Sequence, residues 1–286
     1  MQAPPTYTKI YRTQNYPAIH PTRPELSTAG KVVIITGGGS GIGPKIAHAF
    51  ATSGATKISI LGRTASSLLT TKTSIESQHP GVKVLTFVAD ISNQAAVIDA
   101  FESTKKTFGP VDILVGNAGY MPNPAPLAST DITEWMRGLD INVRGNLILY
   151  QAFIANSSLN PTLVHVGTAA ANLPAMPGGL SAYAVSKLAA TKMTDYFAFE
   201  NPNVRVMIVH PGVPDTSMNE KARDVGLVMP FDDIELCANF MVWAVSPEAE
   251  FLKGKFIWSN WDVNDLIAKK DSLSAMDLTT GLLGWP

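Results

Sequence analysis

The chain has 286 residues, 45% hydrophobic and 16% charged, with a net charge of −1. That composition supplies a large core and excludes an intrinsically disordered chain, and the length suits one α/β domain. A near-zero charge without a basic block excludes electrostatic binding to nucleic acid or an anionic membrane, and no apolar run reaches the about 20 residues that span a bilayer.

Residues 1–29 are rich in Pro, Thr and Tyr and show no periodicity, so they are read as an arm that lies on the domain surface or is partly disordered. They carry no basic stretch followed by an apolar one, and no secretory leader is expected. From 30 to 262, short β-branched runs alternate with longer amphipathic ones. The runs 32–36, 57–61, 83–88, 113–117, 162–166, 205–210 and 255–258 read as strands. The runs 42–53, 66–79, 93–108, 131–154, 182–199 and 234–245 read as crossover helices. Such alternation predicts an α/β fold of one domain: a doubly wound parallel sheet of about seven strands, helices on both faces and right-handed crossovers. The stretch between Pro211 and Pro230 is long and irregular, as a loop over a binding site would be. Cys237, the lone cysteine, excludes an internal disulfide and fits a reducing, cytoplasmic compartment. Its place in the apolar helix 234–245 points to a core thiol rather than a nucleophile. A tail, 263–286, closes the chain.

Strand 32–36 runs into Gly37-Gly-Gly-Ser40-Gly41-Ile42-Gly43-Pro44 at the start of a helix. Glycines let a backbone turn sharply and approach an anion, a helix N-terminus offers unpaired N–H groups, and Pro44 suits a first helical turn. In this strand–loop–helix setting the loop reads as the phosphate cradle of a Rossmann-type dinucleotide site rather than a plain tight turn. The second strand ends in Leu61-Gly62-Arg63-Thr64. A carboxylate there would bind the ribose hydroxyls of NAD. Arg63 can instead meet a 2′-phosphate, so NADP(H) is favoured over NAD(H); the alternative for Arg63 is a solvated loop charge.

Farther along lies Ser181-Ala-Tyr183-Ala-Val-Ser-Lys187. Residues four apart share a helix face. A phenol with an ordinary pKa of about 10 becomes a better acid beside an ammonium, and such a pair can pass a proton to or from a carbonyl or hydroxyl oxygen. Ser181 is expected to cap the helix and leave Tyr183 in its first turn. The spacing alone also fits an ordinary helix pair; the phosphate loop upstream gives it weight.

Together these segments resemble the short-chain dehydrogenase/reductase family in its single-domain form, over about residues 30–262. Thr36-Gly37-x-x-x-Gly41-x-Gly43, with Ser40 and Ile42 inside it, is similar to the cofactor motif. Ala89-Asp90-Ile91 is similar to the segment at the adenine ring. Gly116-Asn117-Ala118-Gly119 resembles the family's Asn-Asn-Ala-Gly, with Gly116 in place of the first Asn. Asp140-Ile-Asn142-Val-Arg-Gly145 resembles the helix segment whose Asn holds a water in a proton relay. Pro211-Gly212-Val213-Pro-Asp-Thr216 resembles the loop that grips the nicotinamide amide, with Val213 and Thr216 in contact.

The resemblance implies hydride transfer between a nicotinamide and the carbonyl or secondary alcohol of a small metabolite. Tyr183 would be the acid in reduction and the base in oxidation. Lys187 would lower its pKa and bind the nicotinamide ribose, and Asn142 would position a water. A homo-oligomer, dimer or tetramer, is implied as well. The arm and the tail are similar to those of long fungal members linked to secondary metabolism.

The usual Ser lies about 13 residues before the Tyr, where this chain has Ala170; Thr168, 15 residues before Tyr183, sits at the strand end and is expected to take that role. The missing Ser and the altered Asn-Asn-Ala-Gly leave two other readings open: a nucleotide-binding regulator without turnover, or a non-redox isomerase or cyclase on the same fold. His165 and His210 share no metal-like spacing with a Cys or carboxylate and are read as hydrogen-bonded, near-core imidazoles. Met121, Leu173, Met176, Met218, Leu227, Met229 and Phe231 either line an apolar pocket or seal the loop; if they line it, the substrate is a fairly apolar ring compound.

Overall fold

The computed structural model describes residues 6–226 and 229–281. Seven strands, β1 (Val32–Thr36), β2 (Lys57–Gly62), β3 (Lys83–Val88), β4 (Val111–Gly116), β5 (Ser157–Val166), β6 (Arg205–His210) and β7 (Phe256–Trp258), form one parallel sheet. Their order is β3-β2-β1-β4-β5-β6-β7, so the winding reverses between β1 and β4. The crevice at the carboxyl ends of the strands at such a reversal is where this architecture binds ligands.

The alternation of side chains along a strand splits the core into two layers. In β1 every residue is buried. Val33 and Ile35 pack with α1 (Gly43–Thr52) and α8 (Ile234–Val245), whereas Val32 and Ile34 pack with α3 (Gln94–Phe108) and α5 (Gly145–Asn156). α8 is apolar apart from Glu235 and Asn239 and is buried from Leu236 to Ala244, which places Cys237 in the core; burial pushes its thiol pKa up, so it is inert as a nucleophile. α3 starts where the Asn93 side chain accepts from the Ala96 amide at 3.2 Å, and stops at Gly109, whose φ of 99° no side-chain-bearing residue adopts easily.

The structure refines the expected elements in four places. The helix expected over 131–154 is α4 (Ile132–Leu139), a single π turn (Asp140–Arg144) and α5. A 3.6-residue apolar rhythm cannot specify one inserted residue, and such insertions concentrate at functional sites. β5 begins earlier than expected, at Ser157, with its pairing to β4 interrupted by a register shift between Val111 and Ile113. The stretch after Pro211 contains a short helix, α7 (Ser217–Asp224). Ser181 is the first residue of α6 (Ser181–Glu200) and makes no capping bond; its hydroxyl accepts from the Trp135 indole at 3.2 Å instead, while Tyr183 does lie in the first turn.

The arm packs into the core through Tyr16, Ile19 and Leu26. Ile19 and Leu26 are fully buried, worth about 2 kcal/mol each by apolar transfer. Beyond β7 the chain forms α9 (Val263–Ala268), capped by Asp262. The tail is tied back by the Lys255 ammonium, which donates to the carbonyls of Ser274, Ala275 and Asp277 at 2.8 Å each. Arm and tail meet beside β7: the Val263 amide donates to the Tyr16 hydroxyl at 3.0 Å.

Candidate active site

A cleft of about 560 Å³ opens along the carboxyl ends of the strands. Its first wall is the glycine loop. Gly37 and Gly41 have φ of 68° and 57°, and a Cβ on Gly43 would overlap the Gly37 carbonyl oxygen, so the loop closes on itself only with glycine at these turns. The space over Gly41 is open, with the Thr216 methyl the nearest atom at 3.8 Å. The amides of Gly41 and Ile42 donate to no described residue. These two unpaired donors at the start of α1 fit an anionic phosphate group. Arg63, exposed and in no ion pair among the described residues, lines the same cleft beyond Gly62. Asp90 and Ile91 line it as well, and the Asp90 carboxylate accepts from the Ser92 amide and hydroxyl at 2.9 and 2.7 Å.

The end of β4 is pinned to the end of β1 by Thr36. Its buried hydroxyl oxygen accepts from the amides of Asn117 and Ala118 at 3.0 and 2.9 Å, and the Asn117 side chain returns a bond to the Thr36 carbonyl at 2.8 Å. Asn117, Ala118 and Gly119 therefore border the cleft as a rigid edge. Across it, Pro211, Gly212, Val213 and Thr216 form the far lip. Buried Asp232 holds that lip: its carboxylate accepts from the Val213 amide at 2.7 Å.

Tyr183, Lys187 and Thr168 converge on the floor. Burial raises the Tyr183 pKa, and hydrogen bonding to Thr168 offsets part of that rise. The lowering expected from Lys187 is not found: the only group that lowers the Tyr183 pKa is Thr168, and the net direction is upward. The Lys187 ammonium is itself buried, which depresses its pKa to about 8, and it donates to the Val166 carbonyl at 2.6 Å. Thr168 also accepts from the Ala170 amide at 3.3 Å, capping the turn that follows β5.

Two expected site residues lie behind the cleft surface rather than on it. Gly43 packs against Gly37. Asn142, in the π turn, is fully buried; its side-chain oxygen accepts from the Tyr120 amide at 2.8 Å, and its nitrogen donates to the Tyr120 carbonyl at 2.8 Å and the Ser186 hydroxyl at 2.9 Å. Ser186 donates in turn to the Tyr183 carbonyl at 2.9 Å. Asn142 thus links the loop after β4 to the helix turn that carries Tyr183.

The family model described as short chain dehydrogenase matches residues 31–225 of this chain. The chain belongs to the short-chain dehydrogenase/reductase family. Membership places it among oxidoreductases whose Rossmann-type fold binds a nicotinamide cofactor. The likeness extends beyond the matched segment: a short chain dehydrogenase/reductase of Claviceps purpurea is 35% identical over 285 residues, covering 98% of this chain and 95% of that protein. Among solved structures, a short chain dehydrogenase of Burkholderia cenocepacia in complex with NADP is 28% identical with a TM-score of 0.72, covering 82% of this chain and 98% of the other. L-sorbose reductase of Gluconobacter frateurii, complexed with NADPH and L-sorbose, is 26% identical with a TM-score of 0.73, covering 82% of this chain and 96% of the other.

This short-chain dehydrogenase/reductase has cleft residues that pattern reading missed. The Arg137 guanidinium and the Lys221 ammonium lie over the Tyr120 ring, 4.6 and 5.2 Å from its centre, and its hydroxyl donates to Glu134 at 2.6 Å. Lys221, on α7, reaches across to the Met121 carbonyl and the Asn123 side-chain oxygen at 3.1 and 3.0 Å, holding α7 over the cleft mouth. His210 accepts from the Ala169 amide at 3.2 Å and packs edge-on against Trp258. Buried His165 bonds the Tyr150 hydroxyl at 2.9 Å, away from the cleft lining. Met121, Leu173, Met176, Met218, Met229 and Phe231 all line the cleft; Leu227 lies outside the described residues. No group of three or more metal-ligating side chains occurs among the described residues, and no described helix is long and apolar enough to cross a membrane.

Proposed function

We propose that the chain is an NADP(H)-dependent reductase or dehydrogenase acting on a carbonyl or secondary alcohol in a small, apolar or cyclic metabolite. The observation that carries this reading is convergence in one cleft. The amides of Gly41 and Ile42 and the side chain of Arg63, without partners among the described residues, lie along the same cleft whose floor holds Tyr183, Thr168 and Lys187. The amides would cradle the pyrophosphate and Arg63 a 2′-phosphate, with Asp90 and Ile91 at the adenine and Val213 and Thr216 at the carboxamide. NADP in the Burkholderia protein and NADPH in the sorbose reductase support this choice over NAD(H).

When bound, the nicotinamide supplies the hydride to a carbonyl carbon or takes it from a carbinol. Tyr183 moves the matching proton: in reduction its phenol gives a proton to the substrate oxygen, and in oxidation it takes one. Burial keeps that phenol protonated at neutral pH, ready to donate. Thr168 orients the substrate oxygen with its hydroxyl. The Lys187 ammonium, held in the protein interior, stabilises the phenolate left behind and binds the nicotinamide ribose. Asn142 acts as a positioning residue, fixing the turn of α6 through Ser186. The methionines and Phe231 along the cleft favour an apolar ring over a sugar phosphate.

The full-length likeness to the Claviceps protein supports a place among the long fungal forms linked to secondary metabolism. We assign the protein to the cytoplasm, where its lone buried thiol stays reduced. Exposed Leu147 and Ile154 on α5, with Val185, Leu188, Tyr196 and Phe199 on α6, form an apolar face suited to pairing two copies.

The test is loss of reduced-nicotinamide absorbance with NADPH and a panel of cyclic ketones. Tyr183→Phe is expected to cut kcat by about 10² to 10⁴-fold and to leave NADPH binding intact. Undiminished turnover would sink the assignment. Arg63→Ser is expected to weaken NADPH binding by about tenfold or more and to spare NADH.

A further inference from the structure

We propose that the N-terminal arm is part of the substrate site, and that Tyr11 is a specificity-determining residue selecting flat aromatic ketones or quinones over small aliphatic ones. The inference rests on the carbonyl-reductase reading above and adds the substrate class.

Tyr11 lines the same cleft as Tyr183 and Thr168, close in sequence to the clasp that fixes it. That clasp is two-sided. Tyr11 pairs with Trp261 as an antiparallel bridge, the Arg12 amide donates to the Asn260 carbonyl at 2.7 Å, and the Asn260 side chain donates to the Arg12 carbonyl at 2.8 Å. The Arg12 guanidinium closes it on buried Asp262 at 2.6 Å. Two guanidinium nitrogens, Nε at 2.8 Å and Nη2 at 2.6 Å, share one oxygen of that buried carboxylate, and such charge-assisted hydrogen bonds are among the stronger ways to hold a surface segment. The backbone at Tyr11 is therefore placed with little freedom, while its hydroxyl makes no hydrogen bond to any described residue.

Tyr16 shows what a purely structural arm tyrosine looks like here. Its ring is buried at 7% exposure and its hydroxyl is occupied by the Val263 amide. Tyr11 differs on both counts, being only partly buried and facing the cleft.

The surroundings define what such a residue would touch. Trp258 lines the cleft and stacks on Trp261, with ring centres 5.7 Å apart and planes within 1° of parallel. His210 buttresses Trp258 edge-on at 4.7 Å, and Tyr7 of the arm packs on Trp261 at 5.5 Å. This is a rigid aromatic wall braced from behind by the arm. The cleft's other apolar contributors include Met218, Met229 and Phe231. Aromatic rings and polarisable thioethers lining one cleft suit a flat ring system, since ring stacking and sulfur–ring contacts each add to simple apolar burial. A short aliphatic ketone would touch only a part of that surface.

Tyr11 adds a polar handle without disturbing the proton transfer. Burial and the Asp232 carboxylate push its pKa up to about 12, so it stays a neutral donor and does not compete with Tyr183 as a base. The arm also lies outside what the family shares. The family match begins at residue 31 and the two solved structures cover 82% of this chain, whereas the Claviceps relative covers 98% of it.

The experiment uses the full chain loaded with NADPH and two probes of matched chemistry, phenanthrenequinone and diacetyl. One readout is the ratio of their KM values. The other is phenanthrenequinone binding, followed by quenching of tryptophan fluorescence, which needs no turnover. Tyr11→Ala is expected to raise the KM of phenanthrenequinone relative to diacetyl by about tenfold and to weaken phenanthrenequinone binding to a similar degree. Tyr11→Phe, which keeps the ring, is expected to move both by less. If Tyr11→Ala unfolds at a lower temperature than the assay tolerates, Tyr11→Leu is read in its place with the same criteria. An unchanged ratio and unchanged binding in a folded Tyr11 variant would overturn the assignment, as would failure of the wild type to bind phenanthrenequinone. Binding that depends on Tyr11 but brings no NADPH oxidation with either probe would uphold the arm's role and refute the reductase reading instead.

Discussion

Buried His210 makes the stability of this protein pH-dependent in a direction that can be worked out. Its imidazole is buried at 6% exposure, accepts from the Ala169 amide at 3.2 Å and packs against Trp258. Accepting that bond requires a neutral ring nitrogen, and burial depresses the pKa from 6.5 to about 3. Below the unfolded pKa the unfolded chain takes up a proton that the folded one refuses. Stability is therefore fully present above about pH 6.5 and lost progressively as pH falls toward 3. At about pH 5 the loss from this one group amounts to about 2 kcal/mol. The assay is urea unfolding of wild type and His210→Gln near neutrality and near pH 5, both without ligand. Gln retains an oxygen that can accept from Ala169 but does not titrate. The variant is expected to lose about 2 kcal/mol less than wild type over this interval. Equal losses would show that His210 takes up its proton as readily in the folded protein as in the unfolded chain, contrary to a depressed pKa. His165, also buried and with its pKa well below the ordinary value, adds a slope of the same sign that both proteins share.

Other consequences are equally specific. Thr168→Val is expected to lower kcat by about 10²-fold with NADPH affinity unchanged, and Thr168→Ser to keep most of the activity; steady-state kinetics with a responsive ketone and a binding titration check both. Gly43→Ala forces a methyl into the Gly37 carbonyl, and NADPH affinity measured by calorimetry is expected to fall by about tenfold or more. Asp232 and Asn260 present two oxygens to Gly212, the Asn260 oxygen has no donor among the described residues, and burial raises the Asp232 pKa. Asp232→Asn, a permanent donor, is therefore expected to match wild-type stability, while Asp232→Ala loses about 2 kcal/mol in urea unfolding. Lys221→Met removes the reach from α7 to Met121 and Asn123 and is expected to raise substrate KM several-fold while sparing kcat, since the lysine touches no reacting group.

Much of this protein was legible along the chain because the signals are local. Short β-branched runs mark strands buried on both faces and amphipathic stretches mark helices; in β1 every residue is buried, with Val33 and Ile35 in one core layer and Val32 and Ile34 in the other. The glycine loop was legible because the turn demands glycine regardless of what surrounds it, as Gly43 against Gly37 shows. Tyr183 and Lys187 were legible because four residues on a helix put two side chains on one face.

What the sequence could not settle depends on chain segments that meet only after folding. The direction of the Tyr183 pKa is one case: an ammonium one helical turn away argues for lowering, but desolvation of the phenol by its surroundings wins, and the Val166 carbonyl from β5 holds the ammonium. The π turn is another: it ends at Gly145, where an added Cβ would lie 2.8 Å from the side chain of Ile91, a residue from a distant loop. Asn142 was found by motif, yet its partners Tyr120 and Ser186 come from a loop and a helix 22 and 44 residues away. Tyr11 carries no periodic or motif signal at all; it reaches the cleft because Arg12 finds Asp262, 250 residues on. Local neighbours were enough to mark the strands and helices, the glycine loop and the Tyr183–Lys187 pair, since each signal lies within one or two turns of chain. The tertiary structure alone decided the protonation of the floor and the composition of the cleft walls, because desolvation and packing are properties of surfaces that distant segments build together.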